Sequence, residues 1–322
     1  MMKKNIYLFI VIVALACAIP YVASPYLLRL SITIISGISV AMCLNVVLGY
    51  MGYPSLCQAV FYGVGGYTMA LATLRLGLSP WAALVLSPLS AFVIGYLVAI
   101  PFLKLRSMFF AIGTMALTGV VNVIIVNFPE ITGSDAGLRN IPSLLETETG
   151  FFYLEMALLV LLIIAARFVE KSYWGKILVA IRDDENLAPY LGINTAKYKR
   201  TTFAVSAAAT GVAGAIFMSY QTYINSNYFT VGASFTALAA CVIGGAGTLL
   251  GPIYGGLVVI GLPETLRAMA QWRPSFIGAV LVAVIILSPG GVSRGLQMLG
   301  VLIGKRRETY KAADSLAKRG KG

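Results

Sequence analysis

The sequence predicts an all-α polytopic membrane protein with about ten transmembrane helices (eight to ten) and both termini in the cytoplasm. Three observations predict it. Of the 322 residues, 59% are apolar and 11% charged, and the mean hydropathy of +0.87 lies far above that of a soluble domain. Residues 30–74, 76–103, 107–129, 201–263 and 274–293 contain no Asp, Glu, Lys or Arg. A bilayer crossing takes about 20 apolar residues, so the longer runs hold two or three crossings each. The third observation is where the basic residues fall, taken up below. A β-barrel would show alternating strands instead of continuous apolar runs.

Polar or Gly/Pro interruptions divide the runs into spans. Behind Lys3 and Lys4, the first begins near Ile6; it has the form of a signal peptide or an uncleaved anchor, and the many spans after it favour the anchor. The next begins near Tyr26, and a break near Met51 separates it from a third starting near Leu56. Arg75 ends that run before a fourth span near Trp81, and the basic stretch 104–106 precedes a fifth near Met108. A long loop, 129–150, leads to a sixth near Phe152, and the charged stretch 167–200 to a seventh near Thr201. Spans near Ser234 and Leu250 flank a turn around Gly247, and the last begins near Pro274.

Alternating from an inside N-terminus places 19 of the 24 basic residues on the cytoplasmic side, as the positive-inside rule requires. The longest outside loop instead carries Glu130, Asp135, Glu146 and Glu148 against Arg139. The net charge of +12 therefore reflects topology and contact with anionic lipid, and calls for no nucleic acid. On this reading residues 1–304 form the transmembrane domain, with a cytoplasmic loop at 170–200, and residues 305–322 a basic cytoplasmic tail.

Within that loop, "AIRDDENLAPYLGIN" (180–194) gathers Arg182, Asp183, Asp184 and Glu185. Inserting the four into a bilayer would cost roughly 10–14 kcal/mol, so they lie outside it. Asp183 or Asp184 can cap a short helix whose one side carries Leu187, Ala188, Tyr190 and Leu191, and Gly192 sits where it would end left-handed. Pro189 cannot lie inside a continuous helix, which points to two short turns with Pro189 near the start of the second. An exposed apolar stripe asks for a partner protein or for the lipid interface.

Little else in the chain carries chemistry. Histidine is absent, and Cys17, Cys43, Cys57 and Cys241 stand far apart, so no metal centre or disulfide framework is expected. No phosphate loop occurs: none of the Gly-Lys pairs (at Lys176, Lys305 and Lys321) precedes Ser or Thr. Polar residues within spans, Asn45, Gln58, Thr114, Thr118, Asn122 and Thr236, are candidates to line a pathway. The competing reading for each is an interhelical hydrogen bond that holds packing together. The spans show no charged residue at mid-depth for an ion relay, which argues against a secondary transporter, and nothing supports an enzyme.

Several stretches together resemble the permeases of branched-chain amino acid ABC importers. They are "GYMGYPSLCQAVFYGVGGYTMALA" (49–72), "LKLRSMFFAIGTMAL", "EITGSDAGL", "KSYWGKILVAIRDDENLAPYLGIN" and "YINSNYFTVGASFTALAACVIGGAGTLLGPIYGG" (223–256), followed by "LPETLR" and "SPGGV". They cover residues 45–292 in one register. Where that family often has Gly-His, this chain has Cys57-Gln58. The resemblance implies a multi-pass protein of the bacterial inner membrane that binds no cofactor itself. It implies a sibling permease, two cytoplasmic ATP-binding subunits docked on Arg182, Asp183, Asp184, Glu185, Ala188 and Gly192, and an extracytoplasmic substrate-binding protein, for which the loop "TGSDAGLRNIP" is a candidate contact. Relatives that carry urea or short-chain amides share the pattern, and those substrates stay open here, as does a stand-alone secondary transporter.

Overall fold

A computed structural model describes residues 19–22 and 24–265, with isolated positions between 275 and 286. The expected spans from Ile6 and Pro274, the basic tail at 305–322 and both termini lie outside the described residues.

Helices stand at the eight expected places between them. Helix α1 (Pro25–Asn45) opens with Pro25 behind Ser24, whose Oγ accepts the Leu27 N–H, and runs on into a π-helical turn (Val46–Tyr50). Next come α2 (Gln58–Leu74), α3 (Pro80–Phe102), α4 (Ser107–Asn127) and α5 (Glu148–Lys171). Ser79 and Thr147 cap α3 and α5 in the same way. A helix the sequence reading did not separate, amphipathic α6 (Tyr173–Asp183), follows α5 directly. Then come α7 (Thr195–Gln221), α8 (Val231–Gly244) and α9 (Gly251–Gly256), the last extended by a π turn (Leu257–Gly261) and by Leu262–Thr265.

Five helices among the described residues are long and apolar enough to cross a membrane: α1 with its π turn, α3, α4, α5 and α7. At 14 residues α8 rises about 21 Å, short of the roughly 30 Å hydrocarbon core. Helix α2 is short as well, because residues 51–57 before it are not helical. At Leu56 and at Ser234, where the apolar runs suggested full crossings, the structure has helices of 17 and 14 residues.

The layering follows from side-chain size. Helix α7 carries "SAAATGVAGA" (206–215), and such small residues let neighbours approach closely. Accordingly 72% of its apolar window is buried, against α2, α3 and α1. Helices α3 and α4 are peripheral, at 28% and 22%, and present Val85, Leu89, Leu97, Ile112, Met115 and Val123 outward. Helices α8 and α9 form a tight pair, possible because a Cβ at Gly255 would overlap the Ala240 carbonyl. The long loop after α4 is tied down where β1 (Leu138–Arg139) pairs antiparallel with β2 (Tyr223–Ile224).

Candidate coupling segment and translocation path

The charged segment is built from turns. Helix α6 ends at Asp183 because Asp184 is extended and turns its carboxylate back, Oδ1 accepting the N–H groups of Asn186 (2.9 Å) and Leu187 (3.1 Å). A 3₁₀ turn with Pro189 near its start spans Ala188–Leu191, and Gly192 closes it at φ 76°. Asn194 then caps α7 through the Lys197 N–H. The two-turn expectation and the left-handed Gly192 agree with this geometry.

The expected single apolar side does not. Ala188 is buried against Ile177 and Ile181 of α6, apart from the other three. Leu187, Tyr190 and Leu191 point out, Tyr190 being 87% exposed. The outer surface of the segment thus presents Leu187, Tyr190 and Leu191 together with the exposed Asp183 and Asp184, while Glu185 and part of Arg182 reach toward the bundle.

Glu185 and Arg182 make two inward connections. Glu185 Oε1 lies 2.5 Å from Lys199 Nζ of α7, and Glu185 Oε2 accepts the Tyr53 hydroxyl at 2.5 Å. Lys199 also donates to Tyr53 Oη (3.0 Å) and to the Leu103 carbonyl at the end of α3 (2.9 Å). Burial first, then the Glu185 carboxylate, raises the Tyr53 hydroxyl above its ordinary range and keeps it a donor. Arg182 Nη1 donates to the Gly49 carbonyl at 2.6 Å, and Asp183 steadies the guanidinium at 3.3 Å. Gly49 in turn packs on the backbone of Gly247 in the α8–α9 turn.

The polar candidates within the spans hold irregular backbone in place. Asn45 brackets the α8–α9 turn, accepting the Gly247 N–H (2.9 Å) and donating to the Thr248 carbonyl (3.0 Å). Thr114 and Thr118 satisfy Leu56, the first accepting its N–H (3.0 Å) and the second donating to its carbonyl (2.7 Å). One turn further along α4, Asn122 donates to the Ser226 carbonyl at 2.9 Å. Unpaired backbone is tolerated at membrane depth only where protein or water satisfies it, and these side chains do so. Gln58 joins α2 to Ser206 (3.2 Å) and Thr210 (2.5 Å) of α7. Thr236 bonds only to Gly232 in its own helix.

One face of helix α4 therefore receives two irregular segments one turn apart, about 6 Å along its axis: the non-helical residues 53–57 and the 3₁₀ turn Ser226–Phe229. Helix α2 starts beside them, its Ala59 N–H capped by Ser234 Oγ of α8 at 3.0 Å. These breaks lie beside the middle of α4, and broken helices are where transporters place their pathways.

Sequence reasoning missed Tyr53, Lys199, Ser234 and Glu155. The first three carry no sequence signal, since their partners are far along the chain. Glu155 overturns an expectation. It lies two turns inside α5, fully buried, so a carboxyl does sit within a span. The helix begins four residues earlier than its apolar run, which carries Glu155 inward against α1.

No solved structure matches the chain. It is 27% identical to the LivM permease protein of the high-affinity branched-chain amino acid transport system of Escherichia coli (strain K12), over 90% of this chain and 75% of that one. It is 29% identical to the autoinducer 2 import system permease protein LsrC of Salmonella typhimurium, over 71% and 66%. The E. coli permease LivH is 31% identical over 39% of this chain and 41% of its own. A family model for the permease component of branched-chain amino acid transport systems matches residues 26–289, and the chain belongs to that family.

Proposed function

We propose that this chain is one of two permease subunits of an ATP-driven importer that carries branched-chain amino acids across the bacterial inner membrane into the cytoplasm. ATP is hydrolysed by two separate cytoplasmic subunits, and an extracytoplasmic protein delivers the amino acid. One observation carries the coupling part. The segment 182–192 exposes Leu187, Tyr190 and Leu191 on one side, while on the other Arg182 grips Gly49 at the end of α1 and Glu185 grips Lys199 of α7, which itself reaches Leu103 at the end of α3.

Such a segment works as a lever. A partner that grips the exposed side and moves must move Arg182 and Glu185 with it. Arg182 passes the displacement to Gly49 and the α8–α9 turn. Glu185 passes it, through Tyr53, to residues 53–57 and so to Leu56 on α4. Movement at the cytoplasmic face thereby reaches the broken backbone at mid-depth, where alternating access is set.

The test is to tag the chain, cross-link native membranes, extract in mild detergent and identify the chains that co-purify. A second permease and two ATP-binding subunits are expected, the latter joined through residues 187–191. A chain recovered alone despite cross-linking would overturn the reading. Reporter fusions after Gly137 and after Asp183 are expected to read outside and inside, respectively.

A further inference from the structure

Glu155 has no part in the lever, yet its place in the bundle is unusual. Its side chain is fully buried, and neither carboxyl oxygen has a hydrogen-bond partner among the described residues. Ser36 of α1 and Tyr62 of α2 are polar side chains that interact with it, and their hydroxyls are bonded to each other at 3.0 Å. The charged groups on the packed helices face elsewhere: Arg29 pairs with Glu148 at one end of α5, and Arg167 with Glu170 at the other. Around it stand Phe151, Phe152, Met156 and Leu159 of the apolar core.

Burying a lone carboxyl costs several kcal/mol, and an apolar residue of similar size would hold the helices together better. Intramembrane carboxyls face the interior and mark the passage of substrates or ions. The chain offers no cation to this one among its described residues, so a cation that pairs with the carboxylate comes from outside the chain. We propose that Glu155, with the hydroxyls of Ser36 and Tyr62, holds the α-ammonium group of an amino acid in transit. An ammonium presents its N–H donors to acceptors on several sides, and the carboxyl oxygens and two hydroxyls, contributed by three helices, are such acceptors. In this conformation α1, α2 and α5 close over the carboxyl, and the ligand reaches it when α5 parts from α1.

The inference rests on the amino-acid reading above and sharpens it. Urea, an amide or another uncharged solute would leave Glu155 unpaired, whereas a zwitterion completes it.

The test uses the full complex, with its ATP-binding subunits and binding protein, in proteoliposomes. Uptake of labelled leucine and ATP hydrolysis are followed for the wild type, Glu155→Gln, Glu155→Asp and Glu155→Leu. Leucine uptake is expected to fall about 10- to 100-fold in Glu155→Gln and Glu155→Leu, the worth of a charge-assisted hydrogen bond. Glu155→Asp is expected to keep part of it. Hydrolysis stimulated by the loaded binding protein is expected to remain, and Glu155→Leu to melt no lower than the wild type. Wild-type leucine uptake in Glu155→Gln would overturn the site. So would a strict sodium requirement lost in that variant, which would make the occupant an inorganic cation. So would Glu155→Leu melting well below the wild type and losing hydrolysis with uptake, which would make the role structural. A wild-type complex that moves an uncharged amide and not leucine would instead overturn the amino-acid reading itself.

Discussion

Lys199 Nζ lies 2.5 Å from Glu185 Oε1 across 14 residues of chain, and the two ends differ sharply in exposure, at 4% and 41%. That asymmetry makes the two truncations unequal. Glu185→Ala strands a buried ammonium, leaving it the Tyr53 hydroxyl and the Leu103 carbonyl, and is expected to cost about 2 kcal/mol of stability. Lys199→Met replaces the charge with an apolar chain of similar length and leaves only a half-exposed carboxylate, so its cost should stay below about 1 kcal/mol. Both are expected to depress uptake, because both cut the link between the segment and residues 53–57. Thermal unfolding in detergent, set beside uptake, checks the pair; equal destabilisation by the two would contradict the geometry.

Gly192 tests the backbone of the segment without touching a contact. A Cβ there meets nothing within 4 Å, so only its φ of 76° resists substitution. An L-residue in that conformation costs about 1–2 kcal/mol, more for a β-branched one and least for Asn. Gly192→Val is expected to abolish ATP-coupled uptake while the protein still inserts, and Gly192→Asn to keep most of it. Wild-type uptake in Gly192→Val would show that the turn does not set the position of Tyr190 and Leu191.

Tyr190 and Ala188 separate docking from folding. They are two residues apart, yet one is 87% exposed and the other 2%. Tyr190→Asp is expected to leave the melting temperature unchanged and to lose the ATP-binding subunits from the purified complex. Ala188→Asp buries an unpaired carboxylate against Ile177 and Ile181, and is expected to destabilise the protein by several kcal/mol. Co-purification and melting curves on the same two variants give the answer.

The sequence was most legible where composition alone decides. Charge-free runs announce the long helices, and the cluster from Arg182 to Glu185 announces a segment that cannot enter lipid. Polar and Gly/Pro interruptions placed helix starts near Leu56 and Ser234, close to Gln58 and Val231, but apolar content does not reveal how many residues of a run are helical, so the shortness of α2 and α8 went unseen. Non-helical backbone in such a run is made possible by distant donors and acceptors such as Thr118 and Asn122, and those pairings are tertiary. Ala188 misled because Leu187, Ala188, Tyr190 and Leu191 were taken as one side of a single helix, whereas the segment is built of turns that set Ala188 against Ile177 and Ile181. Glu155 lies only three residues into the span expected from Phe152, close enough to its end to pass as a boundary charge and not as an intramembrane carboxyl.

Thr118 and Thr236 close the comparison, since both were candidates for the pathway on the same grounds. Thr118 donates to the Leu56 carbonyl in a non-helical stretch that has no alternative donor among the described residues, whereas Thr236 bonds to its own helix. Thr118→Val keeps the shape and removes the donor, leaving a buried carbonyl unpaired at about 1–3 kcal/mol. Thr236→Val removes a bond its helix backbone does not need and is expected to cost less than about 0.5 kcal/mol. If residues 53–57 carry the lever's motion to mid-depth, Thr118→Val also lowers uptake at temperatures well below its melting point, while Thr236→Val leaves it unchanged. Equal uptake in the two variants would mean that Leu56 is not on the path of coupling.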